Sequence, residues 1–206
     1  MRKASVNRKT KETDIALEIN LDGKGIAEVD SGNGFFNHML TLLCGHSKID
    51  IKLVCKGDTD IDFHHSAEDI GIALGTAIKT ALGDKKGIVR YGDIILPMDE
   101  ALILCAMDFS GRGYLNYQVE TKATAIVDKN EEQVSIKSIF DTELAQEFFF
   151  AFTRNADMTL HIKKMEGSNT HHILEGVFKA FGRTLRKAIS FDKEFLDEIP
   201  STKGSL

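Results

Sequence analysis

Two motifs of the form His-His-x-x-Glu occur in the chain, at His64–Glu68 and at His171–Glu175. Residues three and four apart share a face of a helix, so on a helix each glutamate lies one turn from the histidines before it. Neighbouring histidines differ by about 100° around the helix axis, so one can chelate an ion with the glutamate while the other points to a second ion. Imidazole and carboxylate groups are common ligands of divalent metals. The repeated motif therefore predicts two metal ions.

A single His-His pair is usually only a polar helix start, and the repetition with identical spacing before two apolar helices is what favours metal binding. Outside the pairs, His38 and His161 lie in apolar stretches, where a lone histidine is commonly part of the core. Beside two metal motifs we interpret both as further ligands, and His46 as structural. Two four-ligand sites would then use His38, His64, His65, Glu68, His161, His171, His172 and Glu175.

Basic residues near turn glycines form a second candidate group, comprising Arg90, Arg112, Lys179 and Lys203. Each of them taken singly would be a surface charge, but together their guanidinium and ammonium groups suit a phosphate oxyanion. Lys179 follows His171 by two helical turns, near the face of Glu175. The sequence has no Walker loop, no Gly-x-Gly-x-x-Gly before a helix and no nucleophile elbow, so nucleotide binding and serine-hydrolase chemistry have no support.

The composition favours a small polar ligand. The chain of 206 residues has a formal net charge of -5 and no long basic block, which disfavours nucleic acid or an anionic membrane as partner. Cys44, Cys55 and Cys105 lie in apolar stretches without a Cys-x-x-Cys pattern, so we expect core residues and a reducing compartment. The first residues show no secretory signal, and the apolar run 101–107 is too short to span a bilayer. We expect a cytoplasmic protein.

The first half of the chain predicts strands, a helix, a strand and a helix. Alternating apolar residues over 15–21 predict a half-buried strand that enters a turn at Asp22-Gly23, with 26–29 returning as its partner. The remaining elements follow in order: a helix over 35–43, a strand over 49–53 and a helix from the first histidine pair that ends at Gly83.

The second half repeats this order. Its predicted elements are strands at 101–109 and 114–120, a helix at 142–153, a strand at 159–162 and a helix from His171. The unalternating run 101–107 predicts a strand covered on both faces. We expect 120–136 to form a long loop or hairpin. The aromatic cluster predicted to lie in the core contains Phe148, Phe149, Phe150 and Phe152.

Short sequence echoes support an internal duplication. Asn20-Leu21-Asp22-Gly23 corresponds to Asp108-Phe109-Ser110-Gly111, and Glu12 corresponds to Glu100 at the same distance before it. We therefore predict an α+β fold of two similar halves, 1–90 and 91–206. Each half would be a small, mostly antiparallel or mixed sheet with two helices on one face, and the halves would pack as one compact unit.

The motifs together resemble those of the imidazoleglycerol-phosphate dehydratase family. The resemblance covers nearly the whole chain, and two His-His-x-x-Glu motifs in this order are highly specific. The matching segments are Lys11-Glu12-Thr13, Gly34-Phe35-Phe36-Asn37-His38-Met39-Leu40, Asp62-Phe63-His64-His65-Ser66-Ala67-Glu68-Asp69, Pro97-Met98-Asp99-Glu100-Ala101, Asp108-Phe109-Ser110-Gly111-Arg112, Phe140-Asp141-Thr142-Glu143-Leu144, Gly167-Ser168-Asn169-Thr170-His171-His172, Phe178-Lys179-Ala180-Phe181 and Pro200-Ser201-Thr202-Lys203-Gly204.

The resemblance implies a hydro-lyase of histidine biosynthesis that uses Mn²⁺ to convert imidazole glycerol phosphate into imidazole acetol phosphate. It also implies a duplicated α+β unit in a 24-subunit shell, with sites at subunit contacts. It assigns the eight metal ligands named above, places catalytic roles on Glu12 and Asp99, and assigns substrate contacts to Glu12, Arg90, Arg112, Lys179, Ser201 and Lys203. Ligand softness alone would favour zinc, iron or nickel, so manganese follows from the resemblance.

Four positions depart from the pattern of many members: Asn37, Leu42, Gly113 and Ser138, which replace Asp, Gln, Pro and Gly, respectively. None of them removes an assigned ligand. Leu42 replaces a substrate-side contact. Gly113 is expected to loosen the turn that carries Arg112.

The chemistry of this dehydration requires help from the imidazole ring, because the proton to be lost lies on a carbon that is not acidic by itself. Cations on the ring nitrogens would stabilise an imidazolate that expels the hydroxyl, and Glu12 is expected to move the proton. Two alternatives stay open. A dinuclear hydrolase of a phosphorylated small molecule predicts phosphate release, and a metal-storage or metal-assembled protein predicts metal content without turnover.

Overall fold

The computed structural model describes residues 2–127 and 138–206, which fold into strands and four long helices. The elements in chain order are β1 (Lys3–Lys9), β2 (Thr13–Asn20), β3 (Ala27–Asp30), α1 (Gly34–Ser47), β4 (Asp50–Gly57), α2 (His64–Leu82), β5 (Tyr91–Met98), β6 (Ala101–Asp108), β7 (Tyr114–Gln118), β8 (Ala125–Val127), β9 (Ile139–Asp141), α3 (Glu143–Ala156), β10 (Thr159–Glu166) and α4 (Thr170–Ile189). No helix among these residues is both long and apolar enough to cross a membrane.

Two four-stranded sheets repeat one strand order, β1-β2-β4-β3 in the first and β5-β6-β10-β7 in the second. In each sheet three strands are antiparallel, and the last strand, β3 or β7, runs parallel to its neighbour. Because the second sheet reproduces the first strand for strand, the predicted duplicated α+β unit is confirmed. The boundary between residues 90 and 91 stays a prediction.

The helices lie between the two sheets. Helix α2 packs on β1 and β2, and α4 packs on β5 and β6, while the pairs α1–α4 and α2–α3 join the halves. Helix α2 buries an apolar stripe formed by Ile70, Leu74 and Ile78, which are four residues apart. The rings of Phe36 and Phe178 both contact Phe148. One continuous core therefore extends from the first half into the second.

The predicted return of residues 26–29 along β2 is wrong. Strand β2 pairs instead with β1, which was not among the predicted elements, and β3 runs parallel to β4. The carboxylate of Asp50 explains the diversion, because its Oδ1 accepts the backbone N–H groups of Lys24, Gly25 and Ile26 at 2.8, 2.9 and 2.9 Å. This contact carries the chain across the start of β4 to the edge of β4 that faces away from β2.

The second half also differs from the prediction. The stretch 83–96, for which no strand was predicted, contains most of β5. Strand β6 is not covered on both faces, since buried residues such as Ile103 alternate along it with half-buried ones such as Leu104. Strand β8 lies in the predicted loop or hairpin 120–136 and pairs with β9, which follows that stretch. Residues 128–137 lie outside the described residues.

The aromatic and cysteine predictions hold with one exception. Phe148, Phe149 and Phe152 are buried, but Phe150 is 38% exposed and its ring carries the Arg154 guanidinium 3.9 Å above its centre. The three cysteines are free and are buried, as predicted for core residues. Burial raises the pKa of the Cys44 thiol to about 12, which makes it a core side chain without thiolate reactivity.

Glycines on α2 allow a close approach to α3. A Cβ at Gly75 would lie 2.4 Å from the carbonyl oxygen of Phe152, whereas a Cβ at Gly45 in α1 would meet nothing within 4 Å. We expect Gly75→Ala to destabilise the fold by about 1–3 kcal/mol because the α3 backbone must move. Gly45→Ala should be neutral or stabilise by up to about 1 kcal/mol, since alanine favours helix. Urea unfolding measures both, and equal effects would contradict the close-packing argument.

Candidate active site

The two His-His-x-x-Glu motifs occupy the first turns of α2 and α4. Asn169 caps α4 by accepting the N–H groups of His171 and His172 at 2.9 and 3.3 Å, and Asp62 accepts that of His64 at 2.8 Å. In both pairs the two imidazole rings lie at 88° to each other, with centroids 6.0 and 6.3 Å apart. In α4 the two rings also have different partners, as predicted for diverging neighbours, since Nε2 of His171 lies 3.2 Å from Oε2 of Glu175 and Nδ1 of His172 lies 2.7 Å from Oε2 of Glu100.

Helix α1 brings His38 to the motif on α4. Oε2 of Glu175 lies 3.4 Å from Nε2 of His38 and 3.2 Å from Nε2 of His171. Among the described residues this is the one group of three histidine, cysteine or carboxylate ligand atoms that all lie within 4.8 Å of one another. Two imidazole nitrogens and a carboxylate oxygen are a suitable donor set for a divalent transition metal.

The carboxylate of Glu175 is kept in its charged form by its neighbours. Burial raises its pKa, but hydrogen bonds from Lys179 and His38 outweigh this effect and lower the pKa overall. Nζ of Lys179 lies 2.5 Å from Oε1, which leaves Oε2 directed at the two histidines. An ionised carboxylate between two imidazoles therefore forms the centre of this group.

The first motif gathers different partners. Nδ1 of His65 lies 2.9 Å from Oδ2 of Asp58, and Nε2 of His65 lies 3.8 Å from Oε1 of Glu12. The backbone of Glu12 is fixed, because its carbonyl accepts the N–H of Asp58 at 2.9 Å and its N–H donates to Oγ1 of Thr10 at 3.1 Å. The structure thus places Glu12 beside the histidine pair at the start of α2.

His161 does not reach either helix motif within the chain. It lies on β10 between the buried residues Leu160 and Ile162, so its exposed side chain is on the sheet face opposite the helices, near the ring of Tyr114. One chain therefore gathers three of the eight predicted ligands, and not two four-ligand sites.

Most of the predicted anion-binding residues gather around the C-terminal segment. Arg90 donates to Asp108 at 2.7 and 3.2 Å and to the carbonyl of Pro200 at 2.7 Å, next to Ser201. The Ser201 hydroxyl accepts the N–H of Lys203 at 3.2 Å. Arg112 is close to the same C-terminal segment, because Leu206 lies against the neighbouring residue Gly111.

The turn that carries Arg112 packs closely against α3 at Gly113. A Cβ at Gly113 would lie 2.7 Å from Cα of Arg154, so the glycine permits close packing of this turn against α3. Its role here is contact with backbone, and the expectation of a looser turn stays a prediction.

The C-terminal anion group lies far from the His38–His171–Glu175 group. The N–H of Arg90 donates to the carbonyl of Ala188 in the last turn of α4, while His171 is in the first turn. At 1.5 Å per residue these turns are about 25 Å apart along the helix. Lys179 alone among the predicted anion-binding residues lies beside the histidines.

Two acidic residues beside the histidines were not predicted as site residues. Oε2 of Glu100 lies 2.7 Å from Nδ1 of His172, and Asp58 holds His65 in the same way. The hydrogen bond with His172 is the main cause that lowers the pKa of Glu100 to about 2. Asp99, predicted to be catalytic, is exposed and lies 3.9 Å from the same Nδ1. The sequence correspondence between Glu100 and Glu12 could have identified Glu100 as a site residue, whereas no sequence feature marks Asp58.

The fold and the site define a class: a duplicated α+β protein whose helix ends carry paired histidines and carboxylates suited to divalent cations. The family model described as "Imidazoleglycerol-phosphate dehydratase" matches residues 31–185. A protein of that name from Desulforamulus reducens is 52% identical over 205 residues, which cover 100% of this chain and 98% of the relative. One from Oceanobacillus iheyensis is 52% identical over 206 residues, the whole of both chains.

Solved structures agree in fold. The crystal structure of imidazoleglycerol-phosphate dehydratase from Staphylococcus aureus aligns with a TM-score of 0.76 at 37% identity, over 92% of this chain and 99% of that one. The Pyrococcus furiosus structure in complex with (S)-C348 aligns with a TM-score of 0.79 at 34% identity, over 98% of this chain and 100% of that one. The chain belongs to the imidazoleglycerol-phosphate dehydratase family. It is thus a dehydratase, a carbon–oxygen lyase of histidine biosynthesis.

Proposed function

We propose that the chain dehydrates D-erythro-imidazole glycerol phosphate to imidazole acetol phosphate with two divalent cations, Mn²⁺, per active site. The convergence of His38, His171 and Glu175 carries this proposal, because their ligand atoms lie within 4.8 Å of one another and belong to helices that pack together. The remaining ligands are His64, His65, Glu68, His161 and His172.

The donor set fits divalent ions in general, and manganese is proposed on the family resemblance. When bound, the cations supply Lewis acidity beside the substrate imidazole, which stabilises the negative charge that develops as the hydroxyl leaves. The protein's own contribution is orientation. The rings of each histidine pair are perpendicular to each other, an arrangement that suits ligand nitrogens serving two different ions.

Glu12 takes the proton from the carbon next to the one that loses its hydroxyl. Its side chain is 52% exposed, and its backbone is held by Thr10 and Asp58 beside His65. A carboxylate that is fixed at its backbone and open to substrate suits a general base. Asp99 is the second proposed catalytic residue, in the turn between β5 and β6 beside His172.

Phosphate binding falls to the basic residues. Four donors lie on neighbouring segments: the guanidinium groups of Arg90 and Arg112, the hydroxyl of Ser201 and the ammonium group of Lys203. Donors of these kinds suit phosphate oxygens. Lys179 extends the set on α4 next to the metal ligands.

A complete site requires more than one chain. The anion group lies about 25 Å along α4 from His171, and His161 lies on the far side of its sheet. The outer face of that sheet also exposes apolar side chains, with Ile95 at 55% and Met165 at 47%, which is typical of a surface covered by another copy. We propose active sites at subunit contacts in a 24-subunit shell located in the cytoplasm.

Turnover by metal-stripped protein, with and without added Mn²⁺, tests the proposed function. Ketone product and free phosphate are monitored together, and sedimentation reports the size of the assembly. We expect ketone only with Mn²⁺, no phosphate, and a particle much larger than one chain. Phosphate without ketone would favour the hydrolase, and neither product would favour a metal-assembled binding protein.

A further inference from the structure

The second histidine of each pair is bound through Nδ1 to a carboxylate from outside its own motif. His65 contacts Asp58 at 2.9 Å and His172 contacts Glu100 at 2.7 Å. A histidine whose Nδ1 is fixed by a carboxylate has a defined tautomer and ring orientation, with Nε2 left to bind an ion. His171 differs, because its Nε2 points to Glu175 within its own motif.

The two halves reach this arrangement with residues from different places. Glu12 directly precedes β2 and Glu100 directly precedes β6, which occupy the same position in the two sheets. In the second half Glu100 holds His172. In the first half the holding residue is Asp58, which follows β4, and Glu12 lies 3.8 Å from the other nitrogen of His65. The strand equivalent to β4, β10, is followed by Gly167, which has no side chain for this contact.

Both acidic residues also fix backbone near the site, Glu100 through its carboxylate and Asp58 through its backbone N–H. Oε1 of Glu100 accepts the N–H of Asn169 at 2.8 Å, and Asn169 in turn caps α4 below the two histidines. The N–H of Asp58 donates to the carbonyl of Glu12. Each acid therefore joins the orientation of a histidine ring to the position of a second functional element.

We propose that Asp58 and Glu100 are positioning residues that orient His65 and His172 for metal binding. Because Asp58 takes this role in the first half, Glu12 is free for proton transfer, whereas its counterpart Glu100 is occupied by His172. The inference rests on the proposed function, since it assumes that both histidines bind metal. If His171 and Glu175 chelate one ion and His64 and Glu68 the other, the second histidine of each pair faces the ion of the other motif. Each acid is therefore expected to serve a different ion.

Calorimetric titration of metal-stripped full-length protein with Mn²⁺ tests this inference. We expect the wild type to bind two ions per chain. Asp58→Asn and Glu100→Gln should each weaken the binding of one ion by about 10–100-fold, as loss of a carboxylate behind a ligating histidine commonly does. The affinity for the other ion should stay unchanged. The Mn²⁺ concentration for half-maximal turnover should rise by the same factor. Asp84→Asn and Glu28→Gln make the same charge changes at exposed positions and serve as controls.

The results distinguish failure of the proposed function from failure of the positioning roles. A wild type that binds no Mn²⁺ would contradict the proposed function itself. A wild type that binds two ions, with both variants at wild-type affinity, would overturn the positioning roles alone. Loss of both ions in one variant, together with a lower thermal midpoint of its metal-free form, would assign that acid to the fold and also overturn the inference.

Discussion

Replacing Glu12 with glutamine is expected to abolish turnover and to leave the metal content unchanged. The carboxylate is 52% exposed, and its closest histidine atom, Nε2 of His65, is 3.8 Å away. It is therefore placed beside the metal ligands without being held by them. Removal of a general base commonly costs about 10²–10⁴-fold in rate. The amide keeps the shape and hydrogen-bonding reach of the side chain but cannot accept the proton.

The measurement is kcat with saturating Mn²⁺, together with bound metal per chain. Glu18→Gln, an exposed glutamate on the next strand, is the matched control and should retain both. Glu12→Gln with rates near those of the wild type would remove Glu12 from the mechanism. Loss of metal in Glu12→Gln would instead give it a ligand role.

Apolar periodicity was sufficient to predict most helices and several strands, because these elements bury one regular face. Ile70, Leu74 and Ile78 predicted α2, and Ile15, Leu17 and Ile19 predicted β2, and all six side chains are buried. The different partners of His171 and His172 followed from helix geometry alone. The duplication was visible as echoes between residues that end or precede equivalent strands, such as Glu12 and Glu100.

Features that depend on contacts between distant segments were not predictable. The carboxylate of Asp50 determines where β3 goes, through three backbone N–H groups more than twenty positions away. Strand β1 has only a weak alternation of polar and half-buried residues, of which Ala4 and Val6 are examples. The outward direction of His161 requires knowledge of which face of β10 packs on the helices. Local sequence carries none of this information.

Substitution of His171 by asparagine is expected to remove one of the two ions and nearly all turnover. Nε2 of His171 and Nε2 of His38 lie 3.2 and 3.4 Å from the same oxygen of Glu175, so the loss of one imidazole leaves two of the three ligands that the chain gathers here. A catalytic cation contributes several kcal/mol to transition-state stabilisation. About 4 kcal/mol corresponds to roughly 10³-fold in rate.

The fold of this variant should persist, because about half of the His171 side chain is exposed and Glu175 keeps its ion pair with Lys179 at 2.5 Å. His46→Asn is the matched control, since His46 is a half-buried histidine against Gly182 that is not part of the ligand group. Metal per chain, turnover and circular dichroism are measured for both variants. Two bound ions and unimpaired turnover in His171→Asn would contradict the metal site. A reduced metal content in His46→Asn as well would show that loss of any histidine near α4 disturbs binding, and the argument from convergence on Glu175 would then fail.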